Sequence, residues 1–229
     1  MSELAKDATT TKPAGPRRRA HRRLAPHERE SAILEEAVRF FAVVGFGGQT
    51  RELAQRLGVT QPLLYRYFPT KQHLIDRVYD TVFLERWDRA WSAILADRTR
   101  PLRDRLITVY RAYTASVFTY EWMRIYMFAA LRGAEFNRRY TKLIETELLW
   151  PICTEIRAST GLADFDVVAG SERELELAWN MHAGIFYYFV RKFIYQTRVE
   201  ADIDAVIVQS VDAMLEGAPA LARRLVATD

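Results

Sequence analysis

Apolar residues recur along this chain at steps of three and four, and no stretch alternates convincingly at steps of two. That is the period of amphipathic helices rather than of half-buried strands. From residue 28 onward Ile33, Ala37, Phe40, Phe41 and Val44 make one such stripe, and Gly45 is expected to close it as a left-handed cap. Two short helices follow, TRELAQRLG at 50–58 and TQPLLYRYF at 60–68. One long helix is expected from about Lys71 to Asp97, with Leu74, Val78 and Val82 in one row, Ile75, Tyr79 and Phe83 beside it, and Trp87, Trp91, Ile94 and Leu95 continuing. Pro101 suits the first turn of a further helix that carries Leu106, Val109, Tyr110, Tyr113 and Val117.

The segment 121–133 ends on Gly133, and a helix over about 135–159 should be kinked or broken at Pro151. Ser171 with Glu174 three residues on reads as a capping box for a helix over 171–197. A last helix is expected from Asp202 to Glu216, stopped by Gly217 and Pro219. The fold class is therefore all-α, with no internal repeat. An apolar run ending in Gly-x-Gly at 45–47 could open a dinucleotide fold, but Thr50 stands where the third glycine belongs and the preceding run has helical period.

Composition narrows this only in places. At 229 residues and 49% hydrophobic the chain can bury a sizeable core. No run of about 18 uncharged apolar residues points to a membrane span, and the opening MSELAKDATTTKPAG lacks the apolar centre of a signal peptide. The single Cys153 fits a reducing compartment, so a cytoplasmic location is expected. Charge is placed unevenly. Residues 1–71 hold 13 Lys/Arg against 7 Asp/Glu, or +6, while the remaining 20 against 22 give −2. Residues 1–26, with RRRAHRR at 17–23, read as a flexible basic arm suited to a polyanion.

The stretch VTQPLLYRYFPTK, Val59 to Lys71, carries the chemistry. Thr50 is a good N-cap, and Leu53 and Leu57 give the first short helix a buried stripe. Ala54 is small where two helices must cross. Gly58 permits the sharp reversal. Thr60 caps the second helix, Pro62 falls in its first turn, and Val59, Leu64 and Phe68 pin it to the first. This is a helix-turn-helix, at about 50–69. Its second helix turns Gln61, Leu63, Tyr65, Arg66 and Tyr67 outward, a set of amide, guanidinium and phenol groups suited to base edges and phosphates in a DNA groove.

These residues resemble the TetR family of bacterial transcriptional regulators. The resemblance lies in Gly45-Phe46, Gln49-Thr50, Leu53-Ala54, Gly58-Val59-Thr60, Leu64-Tyr65, Tyr67-Phe68 and Lys71, and covers about residues 28–85. Gln49 replaces the family's first threonine, and Pro62 stands where glycine is frequent. The resemblance implies an arm at 1–26, a three-helix DNA-binding head at 27–87, and a ligand-binding and dimerisation bundle at 88–229. It implies phosphate contacts from Thr50, Thr60 and Lys71, and base-edge or thymine-methyl contacts from Gln61, Pro62 and Tyr65. Arg66 and Tyr67 would touch bases or backbone. Arg17, Arg18 and Arg19 would lie along the backbone or in the minor groove. The partner would be an inverted-repeat operator in double-stranded DNA, and the most natural role that of a repressor released by a small molecule.

Residues 105–195 hold 18 of the 28 aromatic side chains. By the same resemblance Tyr110, Tyr113, Trp122, Tyr126, Trp150, Trp179, His182 and Phe186 are candidates to line a cavity for a small apolar or aromatic ligand, the alternative being plain core packing. Arg124 either faces an anionic ligand or reaches for water. LAWNMHAGIFYYFV at 177–190 is apolar on nearly every side, so one face needs a partner. A two-fold homodimer through helices at about 171–197 and 202–216 would supply it. Nothing suggests an enzyme, a metal site or a cofactor: the four histidines are scattered and no nucleophile elbow occurs. A helical dimeric scaffold using its basic arm on RNA or a membrane surface is the other reading, and it leaves the helix-turn-helix spacing unexplained.

Overall fold

The structure, a computed structural model, describes residues 25–131, 135–163 and 172–226. The basic arm with Arg17, Arg18 and Arg19, and likewise Gly133 and Ser171, lie outside the described residues. All regular structure among those described is helical. None of these helices is long and apolar enough to cross a membrane.

The head begins with α1 (Pro26–Val44), whose Ile33, Ala37, Phe40 and Phe41 have no exposed surface. The backbone N–H of Ala25 donates to the Glu28 carboxylate at 2.7 Å, tying down the helix start. Gly45 has φ 70° but ψ 177°, so it is not the left-handed helical cap expected. Glycine is still required. Its φ is positive, and an added Cβ would lie 3.0 Å from the Phe128 ring. α2 (Thr50–Arg56) and α3 (Gln61–Tyr67) form the helix-turn-helix, with Gly58 at φ 64° between them. Thr50 is not the N-cap; Gln49 occupies that position without a side-chain bond, because the threonine hydroxyl is engaged elsewhere. Thr60 does cap α3, accepting from the Leu63 N–H at 3.4 Å. Leu64 and Phe68 are each 1% exposed and seat α3 on the core.

The long helix expected at 71–97 is broken. α4 (Lys71–Tyr79) runs into a π turn (Asp80–Leu84), the chain leaves the helix, and α5 (Ala90–Ala96) starts afresh. Side-chain bonds compete with the helical ladder here. Ser116 Oγ donates to the Arg86 carbonyl at 3.0 Å, while the Arg86 guanidinium donates to the Ser116 carbonyl and to Thr119 Oγ1, both at 3.2 Å. Asp88 then accepts from the Ala90 N–H at 2.8 Å and restarts the helix.

The bundle comprises α6 (Leu102–Val117), α7 (Tyr120–Ala130), α8 (Glu135–Ile144) with a π turn (Glu145–Leu149), α9 (Trp150–Thr160), α10 (Glu172–Phe189) with a π turn (Val190–Ile194), and α11 (Ile203–Val226). Pro101 is the N-cap of α6 rather than part of its first turn, and Thr119 caps α7. Pro151 produces a π turn instead of a break. It has no N–H for the Glu147 carbonyl four residues back, and Ser92 Oγ donates to that carbonyl at 3.3 Å instead. The Glu174 carboxylate accepts from Arg157 Nε at 2.8 Å and Nη2 at 2.6 Å; the capping box expected with Ser171 falls outside the described residues. α11 continues through Gly217 and Pro219 where a stop was expected. Ala218 there is 3% exposed, and burial against the bundle outweighs the weak local propensity. Among the described residues one hydrophobic cluster runs from Ile33 in the head to Ala218 in α11.

Candidate DNA-reading head and the cavity behind it

Thr50 is 6% exposed and sits under α3. Its hydroxyl lies 2.9 Å from Tyr65 Oη and accepts from Gln61 Nε2 at 3.0 Å. One side chain of α2 thus holds two residues of α3, one turn apart, on the same face. Pro62 and Arg66 are exposed, and Gln61, Leu63, Tyr65, Tyr67 and Lys71 are half-buried. Thr60 is exposed at the start of α3 and Lys71 stands in the first turn of α4. Backbone N–H groups at two helix starts and two cations therefore border one polar face, which favours an anion such as a phosphate chain. Replacing Thr50 with valine keeps the shape and removes both hydrogen bonds. We expect it to cost about 1–3 kcal/mol of stability in urea melts, and to weaken DNA binding in a titration because Gln61 and Tyr65 lose their common anchor.

The head is bolted to the bundle at the end of α1. Arg124 of α7 donates from Nε to the Ala42 carbonyl and from Nη2 to the Val43 carbonyl, the latter at 3.4 Å. A cation at a helix C-terminus satisfies orphan carbonyls and meets the negative end of the dipole. The guanidinium lies over the Tyr120 and Phe128 rings, 5.6 and 5.3 Å from their centroids. Arg124, half-buried, is therefore engaged with the end of α1. Sequence reasoning did not find this role, because the carbonyls it serves are some 80 residues away along the chain.

Behind this joint, on other positions of α7, lies a cavity of about 120 Å³. Trp122, Tyr126, Trp179, His182 and Phe186 line it, five of the eight aromatic candidates, together with Ile144 and Ala183. Trp122 and Tyr126 stack with centroids 4.8 Å apart, and Phe186 meets Tyr126 edge-on at 5.8 Å. Tyr110 and Tyr113 are buried just outside the lining. Tyr110 Oη lies 3.4 Å from His182 Nδ1, and Tyr113 Oη lies 3.2 Å from Tyr140 Oη. Burial raises the Tyr110 and Tyr113 hydroxyls above their usual range and pushes His182 down to about 4, so all three are neutral at pH 7. Trp150 is half-buried and not part of the lining. Ala183 was legible: Trp179, His182, Ala183 and Phe186 follow steps of three, four and seven on one helical face. Ile144, from α8, carried no such signal.

A second hollow, an open groove of about 330 Å³, runs between α10 and α11. Its walls include the small residues Gly184, Ala213, Gly217 and Ala218, with Leu177 and Leu221 at its sides. A Cβ built on Gly184 or Gly217 would meet nothing within 4 Å. The groove occupies the faces of α10 and α11 that the apolar pattern left without a partner.

A helix-turn-helix head packed on an all-helical bundle is the architecture of a DNA-binding regulator. Residues 33–78 match the family model for bacterial regulatory proteins of the tetR family. The tetracycline repressor protein class A from transposon 1721 of Escherichia coli is 33% identical over 85 residues, which cover 34% of this chain and 39% of that protein. This chain thus spans well under half the length of that curated relative. Among solved structures, a tetR-family transcriptional regulator from Streptomyces coelicolor superposes with TM-score 0.54 at 17% identity, covering 89% of this chain and 90% of that one. Mycobacterium smegmatis AmtR gives TM-score 0.54 at 20% identity, with 88% and 89% covered. The head is thus similar to the TetR-type DNA-binding domain over residues 33–78, and the chain as a whole has the fold of these solved regulators.

Proposed function

We propose that this protein is a homodimeric operator-binding repressor, released from DNA by a small neutral ligand. The observation that carries the DNA-binding part is the Thr50 hydroxyl holding both Gln61 and Tyr65 on the outward face of α3. On this reading Gln61, Pro62 and Tyr65 address base edges, Arg66 and Tyr67 address bases or the adjacent backbone, and Thr60 and Lys71 serve phosphates, while Thr50, buried with its hydroxyl engaged, holds Gln61 and Tyr65 in place instead of touching a phosphate itself. Arg17, Arg18 and Arg19 add sequence-independent attraction. The groove between α10 and α11 is where a second copy docks by two-fold symmetry, small residues allowing its helices to approach closely. The aromatic cavity takes the ligand. Tetracycline itself is not carried over from the relative, because a cavity of about 120 Å³ has room for about one ring.

Selection from a randomised duplex library followed by footprinting tests the reading. The expected product is an inverted repeat whose half-sites lie about 34 Å apart, or a multiple, with both protected. Protection of a single asymmetric half-site would overturn the dimeric arrangement, and absence of any enriched sequence would overturn operator binding.

A further inference from the structure

α10 carries a stripe that its own chain does not cover. Glu176, Asn180, Gly184, Tyr187 and Arg191 follow one another at steps of four, four, three and four, so they share a face. All are exposed except Arg191, which is half-buried. Tyr187 is 51% exposed, a large aromatic ring left in water. The Arg191 guanidinium lies 5.8 Å from its centroid, yet Arg191 Nε is buried and has no hydrogen-bond partner among the described residues. Neither Glu176 nor Arg191 enters an ion pair among those residues. The stripe also meets the α10–α11 groove. Asn180 and Gly184 belong to its wall, which holds no charged side chain. An engineered cavity of about 150 Å³ takes a benzene ring, so this groove of about 330 Å³ has room for a phenol side chain brought from outside.

We propose that Tyr187 is the anchor of the homodimer, its ring entering the α10–α11 groove of a second copy. The two α10 helices then cross antiparallel beside Gly184, and Arg191 of each copy meets Glu176 of the other. The proposal rests on the dimeric reading above and adds to it the anchor and the register. Charge decides the direction. In a parallel two-fold pair every stripe residue meets its own copy, which sets Glu176 against Glu176 and Arg191 against Arg191. In an antiparallel pair crossing between Ala183 and Gly184, position 176 faces 191 and position 180 faces 187. The crossing itself then falls on two residues small enough for close approach. The same register sets Tyr187 of the second copy opposite Asn180, in the groove wall. Glu176 and Arg191 lie about 11 Å from the crossing along their helices, within reach of each other's side chains at the shallow angles of packed helices. Aromatic and arginine side chains seated in pockets are the residues on which protein interfaces depend most.

Sedimentation equilibrium of the full chain measures the dimer dissociation constant. Tyr187→Ala is expected to raise it about 10³-fold, because it removes two anchors at about thirtyfold each. Far-UV circular dichroism should not change, since the residue is exposed in the single chain. Tyr187→Phe keeps the ring and should stay within about tenfold of the parent. Arg191→Glu and Glu176→Arg should each weaken dimerisation about tenfold or more, by setting like charges opposite each other. Both reversals together should recover to within about threefold of the parent, as a directly paired couple does. A parallel pair behaves otherwise: single reversals change nothing there, since like meets like before and after. Tyr187→Ala dimerising as tightly as the parent overturns the anchor and leaves the dimer. Single reversals without effect, or a double reversal as weak as the singles, overturn the register. A parent chain that stays monomeric, both free at micromolar concentration and on its selected operator, overturns the dimeric reading and this proposal with it.

Discussion

Ala213→Arg is expected to give a monomer that binds the full operator about 10²–10⁴-fold more weakly than the parent dimer, the usual span lost when two linked contacts become one. Ala213 is exposed in the wall of the α10–α11 groove, near Gly217 and across from Gly184. An arginine there projects into the space a second copy would fill, and the docked interface would bury its charge without a counter-ion. The substitution faces solvent in the single chain, so its own fold should be untouched and its far-UV circular dichroism unchanged. Sedimentation gives the oligomeric state, and titration against full and half operators gives the affinity. Equal affinity of parent and variant for an isolated half-site, with the loss confined to the full repeat, is the expected pattern. A variant that still sediments as a dimer places the interface elsewhere.

The largest effect on stability is expected from Glu155→Ala, about 3–5 kcal/mol in urea melts. Glu155 is 6% exposed on α9 and takes Arg105 Nη1 at 2.6 Å, with Arg98 Nε and Nη2 at 3.0–3.2 Å. Arg98 is 56% exposed in its side chain and can turn to water. Arg105 cannot: it is 5% exposed, its Nε has no partner among the described residues, and its Nη1 otherwise reaches only the Leu95 carbonyl. Losing the carboxylate strands that charge. Replacing Arg105 and Glu155 together with leucine should instead be close to neutral, since the desolvation of both ions is removed with their attraction. Burial pushes the Glu155 carboxyl up, and the hydrogen bonds from Arg98 and Arg105 outweigh it and hold the group below its usual range. The unfolded chain therefore takes up the proton first, and this part of the stability is lost as pH falls from the ordinary carboxylate range through the lowered value.

The parts of this molecule legible in its sequence are those whose causes lie within a few residues. Gly58, Thr60 and Pro62 shape the turn and the start of α3 by their own geometry, and Leu64 and Phe68 repeat at the helical step. Five of eight aromatic candidates share a cavity because spacings of three and four put them on common faces of α7 and α10. What was hidden depends on partners far along the chain. Thr50 is a competent cap by type, but its hydroxyl serves Gln61 and Tyr65 on the next helix. The 71–97 stripe is continuous by period, yet Ser116 and Thr119 hold it broken at Arg86. Gly217 and Pro219 are local stop signals that packing of α11 overrides. Glu174 has the spacing of a capping residue and the role of Arg157's counter-ion.

The seat of α1 on α7 bears on how such proteins can be recombined. The last carbonyls of α1 are capped by an arginine that belongs to the bundle, and Gly45 is shaped around Phe128 of the same helix. A head borrowed from a relative would offer its own backbone carbonyls to Arg124, but would bring whatever side chain it carries at position 45 against Phe128. In this chain the head and the bundle are fitted to each other at position 45. An exchange that spares this joint must replace only residues within α3, leaving α1 and Gly45 in place.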